Sequence, residues 1–148
     1  FDSIEEGLFV HPLSDKGLNR VDLRDLGEIA ATALRDPSFV SGRYPVVGPR
    51  SLTGPECAAV WAEALHHPVR YAGDDDAALE AAIDRHVTGY RRDDWKASLR
   101  LLRTHAMKTS AKELAITERL LGRRATDFTE FVRRVVAEHA LDPAARAR

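Results

Sequence analysis

The sequence predicts a helix-dominated α/β chain with three or four short strands and five or six helices. Three observations carry that expectation. Asn19 to Leu34 reads as a short strand running directly into an amphipathic helix, the repeating unit of an α/β sheet. Gly7-Leu-Phe-Val10, Tyr44-Pro-Val-Val47 and Val69-Arg-Tyr71 are brief apolar runs set between turn residues. From Asp74 onward the pattern is helical throughout. A parallel sheet needs several strand–helix units, and this chain holds only the last of them.

The elements follow in order. Gly7 to Val10 is a strand, and His11 to Gly17 is a loop with Pro12, Ser14, Asp15 and Gly17 as turn residues. The strand at Val21 leads to Asp25, read as an N-cap with Glu28 at the capping-box position. Leu26, Ile29, Ala30, Ala33 and Leu34 then form one apolar helix face, and Asp36-Pro37 ends the helix. Ser41-Gly42 turns the chain into Tyr44–Val47, an edge strand because Pro45 has no donor for a ladder. Thr53 caps the next helix, with Gly54 and Pro55 in its first turn and Glu56 closing a second box. That helix runs to about His66, and Val69–Tyr71 is a strand. The Asp74-Asp75-Asp76 cluster starts a helix with Leu79, Ile83 and Val87 inward, and Gly89 breaks the pattern. A helix from about Asp93 to His105 turns Trp95, Leu99 and Leu102 inward. Another covers Lys112 to Leu121 and is closed by Gly122. Thr126 or Asp127 caps the last, whose stripe is Phe128, Phe131, Val132, Val135 and Val136. Residues 1–141 are read as a single domain and 142–148 as a frayed tail.

A chain of 148 residues is of ordinary domain size and can bury a real core. With 22 basic against 23 acidic residues, it gives no electrostatic case for nucleic acid or an anionic membrane. No apolar run approaches the ~20 residues of a membrane span, and no signal peptide is visible at Phe1-Asp-Ser-Ile-Glu-Glu, which is acidic and without an apolar core. A start at Phe rather than Met hints at an excised or processed piece. Cys57 is the only cysteine, so neither an internal disulfide nor a thiolate zinc cluster is possible; it reads as a small buried hydrophobe in a reducing cytoplasm.

Several motifs, in order, resemble those of NmrA-like proteins, which are atypical short-chain dehydrogenase/reductases. Val21-Asp-Leu-Arg-Asp25 before a small-residue helix resembles the family's late strand–helix signature. Gly42-Arg-Tyr-Pro-Val-Val-Gly-Pro49 resembles its strand ending in Gly-Pro, and Ser51-Leu-Thr-Gly-Pro-Glu56 its next helix start. Pro68-Val-Arg-Tyr71 is similar to the strand that follows. Leu120-Leu-Gly-Arg-Arg124 and Thr126-Asp-Phe-Thr-Glu-Phe131 look like its closing segment. The resemblance covers roughly residues 7 to 138. It implies the C-terminal, substrate-side part of a Rossmann-like fold, with NAD(P) as the family's cofactor and an N-terminal half carrying the dinucleotide loop outside this chain.

The residues themselves agree about that loop. No Gly-x-x-Gly-x-x-Gly follows an early strand; the nearest stretch, Gly48-Pro-Arg-Ser-Leu-Thr-Gly54, is proline-bound and opens another kind of helix. No cofactor is therefore expected to bind this chain alone. Tyr44, Tyr71 and Tyr90 have no lysine four residues on, which removes the direct argument for hydride-transfer catalysis. Catalytic residues stay unassigned and no metal site is expected. His66 and His67 stand at a helix end where the resembled family has a Gly and a basic residue, and read as charge compensation there. His86 and His105 read as solvent or packing residues. Asp22 and Asp25 are paired acids with a structural reading, a cap and an ion pair with Arg24 or another base. The resemblance puts the Phe9–Asp22 loop beside the nicotinamide and substrate cleft. The expected substrate wall is therefore Phe9, His11 and Pro12, with Tyr90 and Trp95 as a lid.

Three functions remain open at this point. One is an NAD(P)-dependent oxidoreductase acting on a carbonyl, enone or quinone-like small molecule once the N-terminal half is present. The second is a non-catalytic, dinucleotide-sensing regulator. The third is a stand-alone module that binds a small molecule or a protein. The chain is expected to form a homo-oligomer or to associate with a missing N-terminal half.

Overall fold

The computed structural model describes residues 2–13, 15–105 and 107–141; the expected frayed tail at 142–148 lies outside the described residues. Among the described residues seven helices, rather than the five or six expected, and four strands follow in the order α1 (Asp2–Glu5), β1 (Leu8–Phe9), β2 (Leu18–Asn19), α2 (Leu23–Arg35), β3 (Ser51–Leu52), α3 (Gly54–Leu65), β4 (Arg70–Tyr71), α4 (Asp76–Asp84), α5 (Tyr90–Thr104), α6 (Ala111–Leu121) and α7 (Phe128–Leu141). The helix-dominated expectation holds. The described residues fall into two compact units, one within 2–18 and 52–107, the other within 19–51 and 108–141.

The first unit is built on a parallel pair, β1 against β4, with Leu8 opposite Arg70 and Phe9 opposite Tyr71. Parallel strands need a crossover, and α3, which packs on both, supplies its last leg. The α3 start is the one read from sequence. Thr53 accepts from the Glu56 N–H, and the Glu56 carboxylate accepts from the Thr53 N–H at 2.8 Å. Its end is closed by His66 at φ 56°, the left-handed position that favours glycine. Cys57 and Trp61 on the inner face are buried, as expected. Asp75 caps α4 by accepting from the Ala77 and Ala78 N–H groups.

The second unit corrects two expectations. The cap of α2 is Asp22, which accepts from the Arg24 N–H at 2.9 Å; Asp25 lies inside the first turn. Both acids suit a cap, and the helix starts at the earlier one. Asp25 then points into the unit, where it is 1 % exposed and takes hydrogen bonds from the Thr126 N–H (2.7 Å), the Thr126 hydroxyl (2.8 Å) and the Arg123 guanidinium (3.0 Å). Asp22 pairs with Arg134 at 2.7 Å, and Arg24 with Glu138. The apolar face of α2 is also divided. Ile29 is buried with Leu121 and Ala125, against Val46, Leu114 and Leu120. Leu26 and Leu34 are exposed, as is Leu23.

Tyr44–Val47 is not a strand. Pro45 cannot enter a ladder, and the Thr117 hydroxyl takes over, accepting from the Val47 N–H at 3.0 Å. The strand expected at Val21 sits earlier, as β2, and Val21 itself is outside it. The Asn19 side chain performs a ladder's task, accepting from the Gly48 N–H and donating to the Gly48 carbonyl, both at 2.9 Å. Ser110 and Glu113 cap α6 with a box that was not read from sequence, and Gly122 ends it.

At the start of α7, Asp127 accepts from the Thr129 N–H at 2.9 Å, while Glu130 accepts from the Asp127 N–H at 3.1 Å. The Arg50 guanidinium reaches Asp127 with two donors and, despite partial burial, holds its carboxyl down at about 2. Because the folded value lies below the unfolded one, this stabilisation is present above about pH 4 and is lost as pH falls through 2. It is expected to amount to on the order of 2 kcal/mol. Urea melts of the wild type and Asp127→Asn at pH 6 and pH 2 check it: the gap between the two proteins should close in acid, and an unchanged gap would contradict it.

Candidate functional site

The loop after β1 is held by backbone approach. Pro12 and Leu13 are buried, and the Leu13 N–H donates to the Tyr71 hydroxyl at 3.0 Å, which itself donates to Asp74 at 3.1 Å. A Cβ on Gly73 would lie 2.3 Å from the His11 carbonyl oxygen, so the loop seats against bare backbone there. The Phe9 and His11 rings are stacked with centroids 6.4 Å apart.

This loop forms one wall of a cavity of about 390 Å³ within the first unit. Ser3, Ile4, Phe9, Val10, His11 and Pro12 line that side; Leu79, Ala82, Ile83 and His86 of α4 and its end, with Trp95 and Leu99 of α5, line the other. The volume is within the range of small-ligand pockets, and the lining is mostly apolar with a few polar groups, as such pockets generally are. The groups able to hydrogen-bond a ligand are the Ser3 hydroxyl, the two imidazoles and the Trp95 indole.

Phe9, His11, Pro12 and Trp95 thus meet at one cavity. Tyr90 does not line it: it opens α5 and is 80 % exposed. His86 was read as a packing or solvent residue; it is exposed, and it also lines the cavity. The signal was available, since His86 follows Leu79 and Ile83 at i+7 and i+3, on the face already read as buried. Trp95 is 52 % exposed and Leu99 and Leu102 half-buried, so α5 has no buried residue.

The other candidates have local roles. His67 Nδ1 lies 3.0 Å from the Pro68 carbonyl, and His105 Nδ1 is 2.8 Å from the Thr104 hydroxyl. Asp22 caps α2 and pairs with Arg134, and Asp25 is held by Thr126 and Arg123. Among the described residues no three His, Cys, Asp or Glu side chains are grouped to hold a metal, and no helix is long and apolar enough to cross a membrane.

The glycines closest in sequence to a phosphate loop do not fit one in space. A Cβ on Gly48 would fall 1.7 Å from the Arg20 carbonyl oxygen, and one on Gly54 2.2 Å from the Tyr71 ring. Protein atoms, not open room for a pyrophosphate, face both positions.

The fold is Rossmann-like. It is shared with an NADPH-dependent quinone oxidoreductase from Escherichia coli, with a TM-score of 0.72 at 18% identity over 90% of this chain and 48% of that one. It is shared also with the Citrobacter sp. triphenylmethane reductase solved with NADP(H), with a TM-score of 0.71 at 19% identity over 90% of this chain and 46% of that one. In sequence, 67 residues are 40% identical to the NAD(P)H azoreductase of Xenophilus azovorans, covering 45% of this chain and 23% of that protein. The chain spans less than half the length of each of these three proteins. No family model matches it. The reductase fold read from the motifs is borne out.

Proposed function

We propose that this chain is the C-terminal, substrate-side part of an NmrA-like, NAD(P)-dependent oxidoreductase that acts on a carbonyl, enone or quinone-like small molecule. The observation that carries the reading is the apolar cavity closed by the Phe9–Pro12 loop on one side and by α4 and α5 on the other. Its supports are the likeness to reductases of quinones and dyes and the 67-residue stretch that is 40% identical to an azoreductase. The cavity removes the flat apolar body of a substrate from water. His11, His86 and Ser3 are the groups available to a substrate oxygen. The dinucleotide is bound by chain outside this one. A cytoplasmic location goes with this reading, supported by the single buried Cys57.

Calorimetric titration tests the division of labour. An uncharged quinone such as 1,4-naphthoquinone is expected to bind with a dissociation constant of roughly 0.1–1 mM, the range for so small an apolar ligand. NADPH and NADH are expected to show no binding in the micromolar range. Micromolar affinity for either dinucleotide would contradict the proposed division.

The reading also includes an association. Leu23 is 77 %, Leu26 41 % and Leu34 89 % exposed along one side of α2. Apolar rows of this kind are normally covered, by the missing half or by a second copy. Light scattering across a concentration series is expected to show a mass above the monomer at high micromolar concentration; a monomeric mass there, with a cooperative melt, would contradict it.

A further inference from the structure

We infer that α5 is an electrostatically latched lid over the cavity, so that ligand entry and exit are governed by ionic strength. The inference rests on the reading that this cavity takes a small apolar ligand. Helix α5 buries no residue of its own. What joins it to α4 is a ladder of opposite charges. Asp76, Glu80 and Asp84 recur every four residues and so form one stripe of α4. Arg103 meets Asp76 at 2.7 Å, Arg100 and Lys96 meet Glu80 at 3.0 and 2.9 Å, and Arg92 meets Asp84 with two donors, one at 2.6 Å. Another stripe of the same two helices, Leu79, Ile83, Trp95 and Leu99, faces the cavity. Separating α5 from α4 along the ladder would therefore uncover the cavity.

The backbone has freedom where such a movement needs it. Gly89 joins the two helices at φ 66°, ψ −150°, a region open essentially to glycine alone. A Cβ there would meet nothing within 4 Å, so the turn faces open space on that side. The far end of α5 is tied down, since Lys16 donates to the Thr104 carbonyl at 3.1 Å and Met107 bridges to Leu18. Charges at this depth are screened by salt: the Debye length falls from about 30 Å at 0.01 M to about 3 Å at 1 M. The apolar closure under Trp95 and Leu99 has no such dependence. Salt therefore loosens the latch and leaves the cavity's affinity for an apolar body largely in place.

Stopped-flow fluorescence with N-phenyl-1-naphthylamine, an uncharged probe, decides it. Its dissociation rate is expected to rise about three- to tenfold between 20 and 500 mM NaCl, the scale of losing several exposed ion pairs. Glu80→Gln with Asp84→Asn should give the fast rate already at low salt and flatten the dependence. The charge swap Asp84→Arg with Arg92→Asp should restore the slow, salt-dependent rate. Hydrogen exchange in the Glu80→Gln, Asp84→Asn protein should be several-fold faster across α5 with α3 unchanged. Should that protein lose protection in α3 as well, the wild-type salt series decides alone. Rates independent of salt, with probe binding abolished by the cavity-filling Ala82→Trp, overturn the lid and leave the cavity. Probe binding that survives Ala82→Trp overturns both.

Discussion

Replacing Asp25 by alanine is expected to lower stability by about 2–4 kcal/mol, well beyond the ~1 kcal/mol of a lost helix cap. The carboxylate is buried at the junction of α2 with the segment before α7, and it satisfies the Thr126 N–H, the Thr126 hydroxyl and one Arg123 donor at once. Alanine leaves the Thr126 N–H without that acceptor and Arg123 with Glu28 as its remaining carboxylate. Burial pushes the Asp25 carboxyl up, but the Thr126 and Arg123 hydrogen bonds outweigh it and the net direction is down. The sign follows: this stabilisation is full above the ordinary aspartate value and fades as pH falls through the lower, folded one. Asp25→Asn keeps an acceptor for Thr126 and should fall between wild type and alanine. Denaturant unfolding at pH 7 measures all three. A loss under 1 kcal/mol for Asp25→Ala would return Asp25 to a capping role.

The second large effect is at Gly48. A methyl there would sit 1.7 Å from the Arg20 carbonyl oxygen and 2.9 Å from its carbon, and both are backbone atoms that no rotamer change can move. The two chain segments would have to part, and the paired Asn19 hydrogen bonds to Gly48 would go with them. Gly48→Ala is expected to cost roughly 3–5 kcal/mol, from overpacking and lost hydrogen bonds together. For a chain of this size that is a fall in Tm of about 10–15 °C. Gly27→Ala is the control of opposite sign. Gly27 lies inside α2, exposed, and a Cβ there meets nothing within 4 Å. It is expected to stabilise by about 0.5–1 kcal/mol through helix propensity. Thermal melts of the two variants compare them directly, and equal melting temperatures would contradict the packing at Gly48.

These two residues also mark what a sequence can disclose. The Thr53–Glu56 box, the Gly122 stop and the buried Cys57 were legible because each depends on neighbours a few residues away. Asp25 was misassigned because its partner Thr126 is 101 residues distant; without that contact a cap is the natural role for an aspartate before an apolar helix. Tyr44–Val47 has strand composition, but its donors and acceptors are met by Thr117, 70 residues away. The cavity was legible in halves. Phe9, His11, Pro12 and Trp95 came from the motif resemblance, whereas Leu79 and Ile83 came from helical spacing and were read as core. Nothing local says that the two sets face each other. Periodicity also put Trp95 and Leu99 inward, yet α5 is rich in charge, buries no residue and lines the cavity through those two side chains.

Where a ligand sits in that cavity is the most direct test of its role. Two-dimensional NMR of the chain with 1,4-naphthoquinone at millimolar concentration reports it residue by residue. The expected result is saturable shifts confined to the Trp95 indole, the His11 and His86 rings and the methyl groups of Ile4, Leu79, Ile83 and Leu99, with ligand contacts to Phe9. They should disappear in Ala82→Trp. Shifts centred on any other part of the chain, or none at saturating quinone, would contradict the assignment of this chain as the substrate-binding side of a reductase.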